Sequence, residues 1–306
     1  MATTAFAPAT VANLGPGFDV LGLALHEPGD RVTARLVEGE DVRIVSITGD
    51  GGKLPTDAEQ NTAGIAAAVT LKLAGVRTGI ELELEKGLPL GSGLGSSAAS
   101  AAAAAWAVNR LIGSPLMELD LVEACLEAET AVSGRHADNV AAAVMGGIVM
   151  VRSVDPLDVV GLPVPRGLMV AVVTPDFVLN TSAGRKALPR SVSIPEMVAN
   201  QAALAGLVSA LYMGDLALLG RSLEERIVTP ARTPLIPGAQ EVIEAANLAG
   251  VIGSGLSGSG PSVFAFCENR DVAGEVAGAM VEAYSKAGLA SQVVVSPAGC
   301  PGARAA

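Results

Sequence analysis

The 306-residue chain is half hydrophobic, holds only 3% aromatic residues and carries a formal net charge of −11. Length and apolar content support one or two domains with cores of Val, Leu, Ile and Ala. So acidic a chain is a poor general binder of nucleic acid or anionic membrane, both of which need positive surface; neither partner is expected, and a polyanionic ligand must meet local positive potential.

In chain order, PATVANLGPGFDVLGLAL (8–25) reads as a glycine-proline loop in which Asn13 and Asp19 flank Leu14-Gly15-Pro16-Gly17-Phe18. A short acidic residue in such a loop often bonds its own backbone. Residues 31–37 and 42–47 are strand-like, and 61–74 is helical with Gly75 as its stop. IELELE (80–85) alternates Ile80, Leu82 and Leu84 with three glutamates, the pattern of a half-buried strand. Helices are predicted over 97–111 and 115–132, with Pro115 near the first turn of the second. Gly146-Gly147 leads into a strand at 148–151. Pro156, Pro163 and Pro165 mark a boundary region over 153–167. LMVAVV (168–173) then reads as a fully buried strand, followed by helices over 195–213, 215–226 and 238–249, a strand at 262–267, a helix at 271–288 and a last strand at 291–296. Strands and helices mix without a strict βαβ cadence, which gives an α+β fold in two domains, 1–158 and 159–306.

Three dispersed cysteines, Cys125, Cys267 and Cys300, offer neither a disulfide framework nor a zinc motif, and His26 and His136 are too few for a histidine-rich metal centre. No secretory leader pattern opens the sequence, and the most apolar window, 98–112, is too short and alanine-rich for a membrane span. A cytoplasmic protein is expected.

Three segments carry candidate chemistry. PLGSGLGSSAAS (89–100) follows Lys86 and a turn and runs into a helix. The first N–H groups of a helix lack intrahelical partners, the macrodipole adds positive potential, and glycines let an anion approach, so this is a candidate phosphate site; a plain loop with a serine N-cap fits equally well. It is not a Walker A loop, since Ser96 and not lysine follows Gly95. GSGLSG (253–258) has a dinucleotide-type glycine spacing but precedes a strand, which excludes that fingerprint; 253–262 reads either as a mobile glycine loop able to close over a ligand or as a hairpin-like connection. ETAVSGRHADN (129–139) packs Glu129, Arg135, His136, Asp138 and Asn139 into eleven residues.

Together these segments resemble the GHMP kinases and, within them, the homoserine kinases. Pro89, Gly93, Leu94, Gly95, Ser96, Ser97 and Ala98 match the family's phosphate loop, GLSGSGPS (255–262) its C-terminal glycine motif, and 8–25, 136–147 and 181–189 resemble segments typical of homoserine kinases. The resemblance implies an N-terminal ribosomal protein S5 domain 2-like domain and a C-terminal ferredoxin-like domain, with the active site between them. It implies transfer of the γ-phosphate of ATP to the side-chain hydroxyl of L-homoserine, with Mg2+, on the route to threonine, by a homodimer.

On this resemblance ATP lies against Pro89, Leu90, Gly91, Ser92, Gly93, Leu94, Gly95, Ser96 and Ser97, with Lys86 nearby and Asn61 at the purine. Ser97 and Glu129 hold Mg2+, a hard cation suited to oxygen ligands. Arg185 and Arg232 grip the substrate carboxylate, as arginine does bidentately. Asn13, Asp19, His136 and Thr181 surround the rest of the substrate, Asp19 or Asp138 facing its ammonium, and Asp138, Asn139 and Glu129 are the catalytic candidates. Two rivals stay open: a GHMP kinase for another alcohol, which has no use for the arginine pair, and a GHMP-fold ligand sensor, which has no need of both Ser97 and Glu129.

Overall fold

The computed structural model describes residues 1–179 and 181–306. Its first sheet opens with β1 (Ala2–Ala12), β2 (Leu21–Val37) and β3 (Val42–Thr48), followed by helix α1 (Thr62–Leu73), β4 (Gly79–Glu85), helices α2 (Ser96–Leu111), α3 (Glu118–Val132) and α4 (Asp138–Met145), and the hairpin β5 (Ile148–Val154) and β6 (Leu157–Leu162). The long strand β2 pairs with β1 along its length, with β5 through its first residues and with β4 through its last. All these pairings are antiparallel; β3 joins β4 in parallel.

The alternation read at 80–85 holds, with Ile80, Leu82 and Leu84 buried. Ala5, Ala7, Ala9 and Val11 of β1 do the same beside them. Against this face lies α2, whose alanines are buried on nearly every side. Small side chains let the helix approach both the sheet and its helical neighbours closely, so its N-terminus is set by packing from all sides.

The second sheet is built from β7 (Met169–Pro175), helices α5 (Thr181–Lys186), α6 (Ile194–Met213), α7 (Leu216–Arg221), α8 (Val228–Arg232) and α9 (Ala239–Leu248), the hairpin β8 (Gly253–Leu256) and β9 (Val263–Cys267), α10 (Arg270–Lys286) and β10 (Ser291–Pro297). The strand order is β10-β7-β9-β8, all antiparallel, which is the split βαβ order of a ferredoxin-like domain. Strands β7 and β9 are buried on both faces. Met169, Ala171, Val173, Val263 and Ala265 pack under α9 and α10, while Val170, Val172, Phe264 and Phe266 face α6, α7 and the first domain's core. That second contact fuses the two domains. The final strand β11 (Arg304–Ala305) returns to pair with β1.

Several expectations change. Segment 8–25 is strand, turn and strand, its loop confined to 13–20. The polar cluster at 129–139 leads into the helix α4, which the apolar run had hidden. Residue 158, the expected end of the first domain, lies inside β6; this strand pairs with β5, so the sheets part in the loop 163–168. Of the prolines that suggested a boundary at 153–167, Pro156 lies in the turn of the β5–β6 hairpin, while Pro163 and Pro165 lie in the loop where the sheets part. Region 215–226 holds only the short α7, and 253–262 is the hairpin β8–β9 with a tight loop at 257–262. Among the described residues α6 is the one helix long and apolar enough to cross a membrane, a window that the sequence reading passed over. It is seated in the core by Leu207, Ala210 and Leu211, and Asn200 Nδ2 donates to the Pro16 carbonyl at 3.1 Å.

Candidate active site

A cavity of about 310 Å³ lies between the domains, where the loops 13–19, 90–97 and 258–259 meet α5, α8 and the turn before α4. Its chemistry divides into an anion-binding wall, a hydroxyl–carboxylate pair and a pole of mixed charge.

The wall is the glycine loop. The carbonyls of residues 91–95 are all taken: Gly91 by the Leu179 N–H at 3.4 Å, Ser92 by Ser262 Oγ at 2.7 Å, Gly93 by Ser257 Oγ at 2.6 Å, Leu94 by the Thr10 N–H at 3.0 Å, Gly95 by the Ala99 N–H at 2.9 Å. Among the described residues no N–H from Gly91 to Ser97 has a protein acceptor, and Ser96 Oγ is buried without a partner. Outward carbonyls and unclaimed N–H groups at a helix N-terminus form an anion cradle. Glycine is required here for two reasons. Gly93 and Gly95 have φ of 79° and 65°, and a Cβ on Gly93 would sit 2.5 Å from the Ser257 carbonyl, while one on Gly95 would sit 2.0 Å from Thr10 Oγ1. Ser257 and Ser262 belong to the 257–262 loop, itself held by Tyr284, whose hydroxyl donates to the Pro261 carbonyl at 2.8 Å. The second domain therefore fixes the shape of the first domain's cradle.

Beside the cradle, Ser97 Oγ donates to Glu129 Oε2 at 2.9 Å, and Ser133 Oγ donates to the other oxygen, Oε1. Glu129 is 4% exposed and lies in the last turn of α3, where the helix dipole disfavours a carboxylate. A buried acid at the unfavourable end of a helix, facing a cavity, needs a cation or a donor set to justify it.

The mixed pole comes from the N-terminal turn and the second domain. Asn13, Leu14 and Asp19 adopt left-handed φ of 73°, 47° and 57°, conformations that cost of order 1 kcal/mol each for non-glycine residues and cluster at functional sites. Asn13 pins this turn, its Oδ1 accepting from the Asp19 N–H at 3.2 Å and its Nδ2 donating to the Gly258 carbonyl at 3.0 Å. Arg185 forks onto both oxygens of Asp19 at 2.9 and 3.1 Å, its buried Nε having no partner among the described residues. Arg232, 2% exposed, donates from Nε to the Gly184 carbonyl at 3.3 Å and from Nη1 to that of Gly258 at 2.9 Å. Both guanidinium groups lie over the Phe18 ring, at 5.6 Å for Arg185 and 5.2 Å for Arg232. Burial and the neighbouring Arg185 push the Arg232 pKa down, against the attraction of Asp19, Glu225 and Asp138.

Opposite the arginines, His136 Nδ1 stands 3.4 Å from Asp138 Oδ1, and Asp19, His136 and Asp138 each bring a ligating atom within 4.8 Å of the others. Asn139 is oriented by Thr10 Oγ1, which donates to its Oδ1 at 2.7 Å and so leaves the amide donors for the cavity. Burial lowers the His136 pKa, but the carboxylates of Asp138, Glu129 and Asp19 outweigh it and the net shift is upward. A raised histidine pKa contributes stability that is present below the unfolded value of about 6.5 and is lost as pH rises through the folded value. In ligand-free protein His136→Gln should therefore lower the melting temperature most below pH 6, with the gap to wild type closing at alkaline pH. A gap that widens with pH would mean that the imidazole is held neutral.

Two family descriptions match the chain: GHMP kinases N terminal domain at residues 61–147, and GHMP kinases C terminal at 207–286. The homoserine kinase of Arabidopsis thaliana is 47% identical over 92% of this chain and 78% of the relative, and that of Chlorobium phaeovibrioides 44% identical over 98% of each. The crystal structure of homoserine kinase from Cytophaga hutchinsonii superposes with a TM-score of 0.97 at 45% identity, covering 100% of this chain and 97% of that one. The chain belongs to the GHMP kinases, in their homoserine kinase branch. Its two domains are the GHMP kinase fold.

Within this GHMP kinase framework the expected site residues largely converge. Asn13, Asp19, Asn61, Lys86, Leu90, Gly91, Ser92, Gly93, Gly95, Ser96, Ser97, Glu129, His136, Asp138, Asn139, Arg185 and Arg232 all line the one cavity. Pro89 and Leu94 do not: Pro89 is exposed and accepts from Ser92 Oγ, and Leu94 is core. Thr181 begins α5, and its side chain lies outside the described residues. Lys86 is not a free phosphate ligand, because its ammonium is engaged by Asp30, the Ser96 carbonyl and Ser100 Oγ. Asn61 is the N-cap of α1: its Oδ1 accepts from the Ala63 N–H and its Nδ2 donates to the Pro55 carbonyl at 2.9 Å, so its amide serves the backbone first. The sequence reading missed Asp30, Phe18 and Ser133. Ser133 had a legible signal, being four residues from Glu129 on a helix.

Proposed function

We propose that the protein transfers the γ-phosphate of ATP to the side-chain hydroxyl of L-homoserine, giving O-phospho-L-homoserine for threonine biosynthesis. The observation that carries this reading is one cavity holding both the unclaimed N–H groups of 91–97 and a compact pole of opposite charges, Arg185 and Arg232 against Asp19 and Asp138. An α-amino acid has the matching pair of charges; a plain alcohol has neither.

The cradle binds the triphosphate through backbone donors and the α2 dipole. Mg2+ fits the site: Ser97 and Glu129 offer a hydroxyl and a buried carboxylate, hard oxygen donors within 2.9 Å of each other at the same helix end. When bound, the ion neutralises charge developing on the phosphate oxygens. Arg232 and Arg185 take the substrate carboxylate, Asp19 its ammonium. The Asn139 amide and the Asp138 carboxylate then face the side-chain hydroxyl, with Asp138 assigned to its proton. A loose phosphoryl-transfer transition state needs little more than this positioning and charge stabilisation. The protein acts in the cytoplasm as a homodimer, readings that rest on the family resemblance.

A coupled ADP-release assay with Mg-ATP and a panel of alcohols tests the assignment. L-homoserine should give the highest kcat/KM, ahead of L-serine, mevalonate and shikimate. A better non-amino-acid alcohol would overturn the substrate, and tight nucleotide binding without turnover on any alcohol would overturn the enzyme.

A further inference from the structure

Asp30 lies in β2, 1% exposed, outside every motif and away from the reacting groups. Its Oδ1 accepts from the Gly87 and Leu88 N–H groups at 3.0 and 3.3 Å, and its Oδ2 from Ser100 Oγ at 2.8 Å and from the Lys86 ammonium. Lys86 also donates to the Ser96 carbonyl at 2.9 Å and to Ser100 Oγ at 2.7 Å. One carboxylate thus ties the middle of the sheet to the turn that enters the glycine loop and to the first turn of the helix that leaves it. The network is closed: the three ammonium donors have three acceptors, and both carboxylate oxygens are used. A fully satisfied buried network fixes geometry, and losing one charge from it leaves the other uncompensated.

We propose that Asp30 is a positioning residue for nucleotide binding, holding both ends of the phosphate cradle in register, with Lys86 as its counter-ion and not a ligand of the phosphates. This rests on the reading of 91–97 as the nucleotide site. The test compares Asp30→Asn, Lys86→Met and the double variant, measuring KM for ATP and homoserine, direct ADP binding, and amide hydrogen exchange of nucleotide-free protein. Each single variant should raise the ATP KM and the ADP Kd roughly tenfold or more, with the homoserine KM held within about twofold, because each strands a buried charge. The double variant strands none and should recover to within about threefold of wild type. A double variant no better than Lys86→Met would show that Lys86 touches phosphate and would overturn the proposal.

Exchange should accelerate across 87–100 in Asp30→Asn without nucleotide; unchanged exchange there would also overturn it. Should a charge-stranding variant fail to fold, Ser100→Ala removes one leg of the tether with no charge lost; it should weaken ADP binding by about two- to threefold, and unaltered binding would count against the tether. Wild-type protein that does not bind ADP would sink the nucleotide reading itself, while the exchange measurement would still judge the tether.

Discussion

Glu129→Gln should lower kcat by roughly three orders of magnitude at saturating ATP and homoserine, with the fold intact. The side chain is isosteric and keeps an amide oxygen for Ser97 or Ser133, both of which hold Glu129 in the structure. What disappears is the negative charge, and with it the carboxylate that Ser97 Oγ donates to at the start of α2. A metal ion supplies several kcal/mol of charge stabilisation in phosphoryl transfer, and each ~1.4 kcal/mol is tenfold in rate, which sets the scale of the loss. Ser97→Ala should cost less, about tenfold, since a neutral ligand is replaceable by water. The measurement is kcat as a function of Mg2+ concentration, with homoserine KM as control. The variant should need far more Mg2+ than wild type and leave homoserine KM within about twofold. A kcat within tenfold of wild type at ordinary Mg2+ would remove Glu129 from the metal site.

Local pattern was readable wherever one face decides burial: IELELE became β4 with its leucines inward, and the helix after the glycine loop begins at Ser96, one residue from expectation. The cradle was half-readable: glycines before a helix have a local physical meaning, but an anion site and a plain capped loop share that signal until the other motifs are added. The missed elements are those whose signal is non-local. β1 has five alanines and a proline among its eleven residues, types depleted in strands, and it is a strand because β2 and β11 pair with it on either side. α4 begins at a residue pair chosen for the site and is too short to show a period. Asp30 carries no sequence signal at all: its partners Lys86 and Ser100 lie 56 and 70 residues away, and only folding makes the carboxylate a hub. The acid that engages Lys86 is hidden for the same reason. A lysine beside a phosphate loop reads as a phosphate ligand until the buried acid that neutralises it is seen. Arg185 and Asp19, expected to take opposite ends of the substrate, pair with each other across 166 residues.

That pairing sharpens the second large effect. Arg232→Ala should raise the homoserine KM by about 10- to 100-fold, the value of one charge-assisted contact of ~1.5–3 kcal/mol, while the ATP KM changes less than about threefold. The two arginines differ in how they are held. Arg185 spends both Nη groups on Asp19, whereas Arg232 is fixed by two backbone carbonyls and the Phe18 face and, among the described residues, has no partner for Nη2. Its guanidinium is therefore the pre-organised half of the carboxylate clamp, and its loss should cost more than that of Arg185. Arg232→Lys should recover little, since an ammonium cannot bridge the Gly184 and Gly258 carbonyls and a carboxylate at once. The competing account is structural. Arg232 reaches the Gly258 carbonyl, and the same loop grips the phosphate cradle through Ser257. If Arg232 served only to brace that loop, its removal would weaken ATP and homoserine alike, and added guanidinium would rescue neither. A selective loss for homoserine, partly restored by free guanidinium, places the positive charge on the substrate carboxylate.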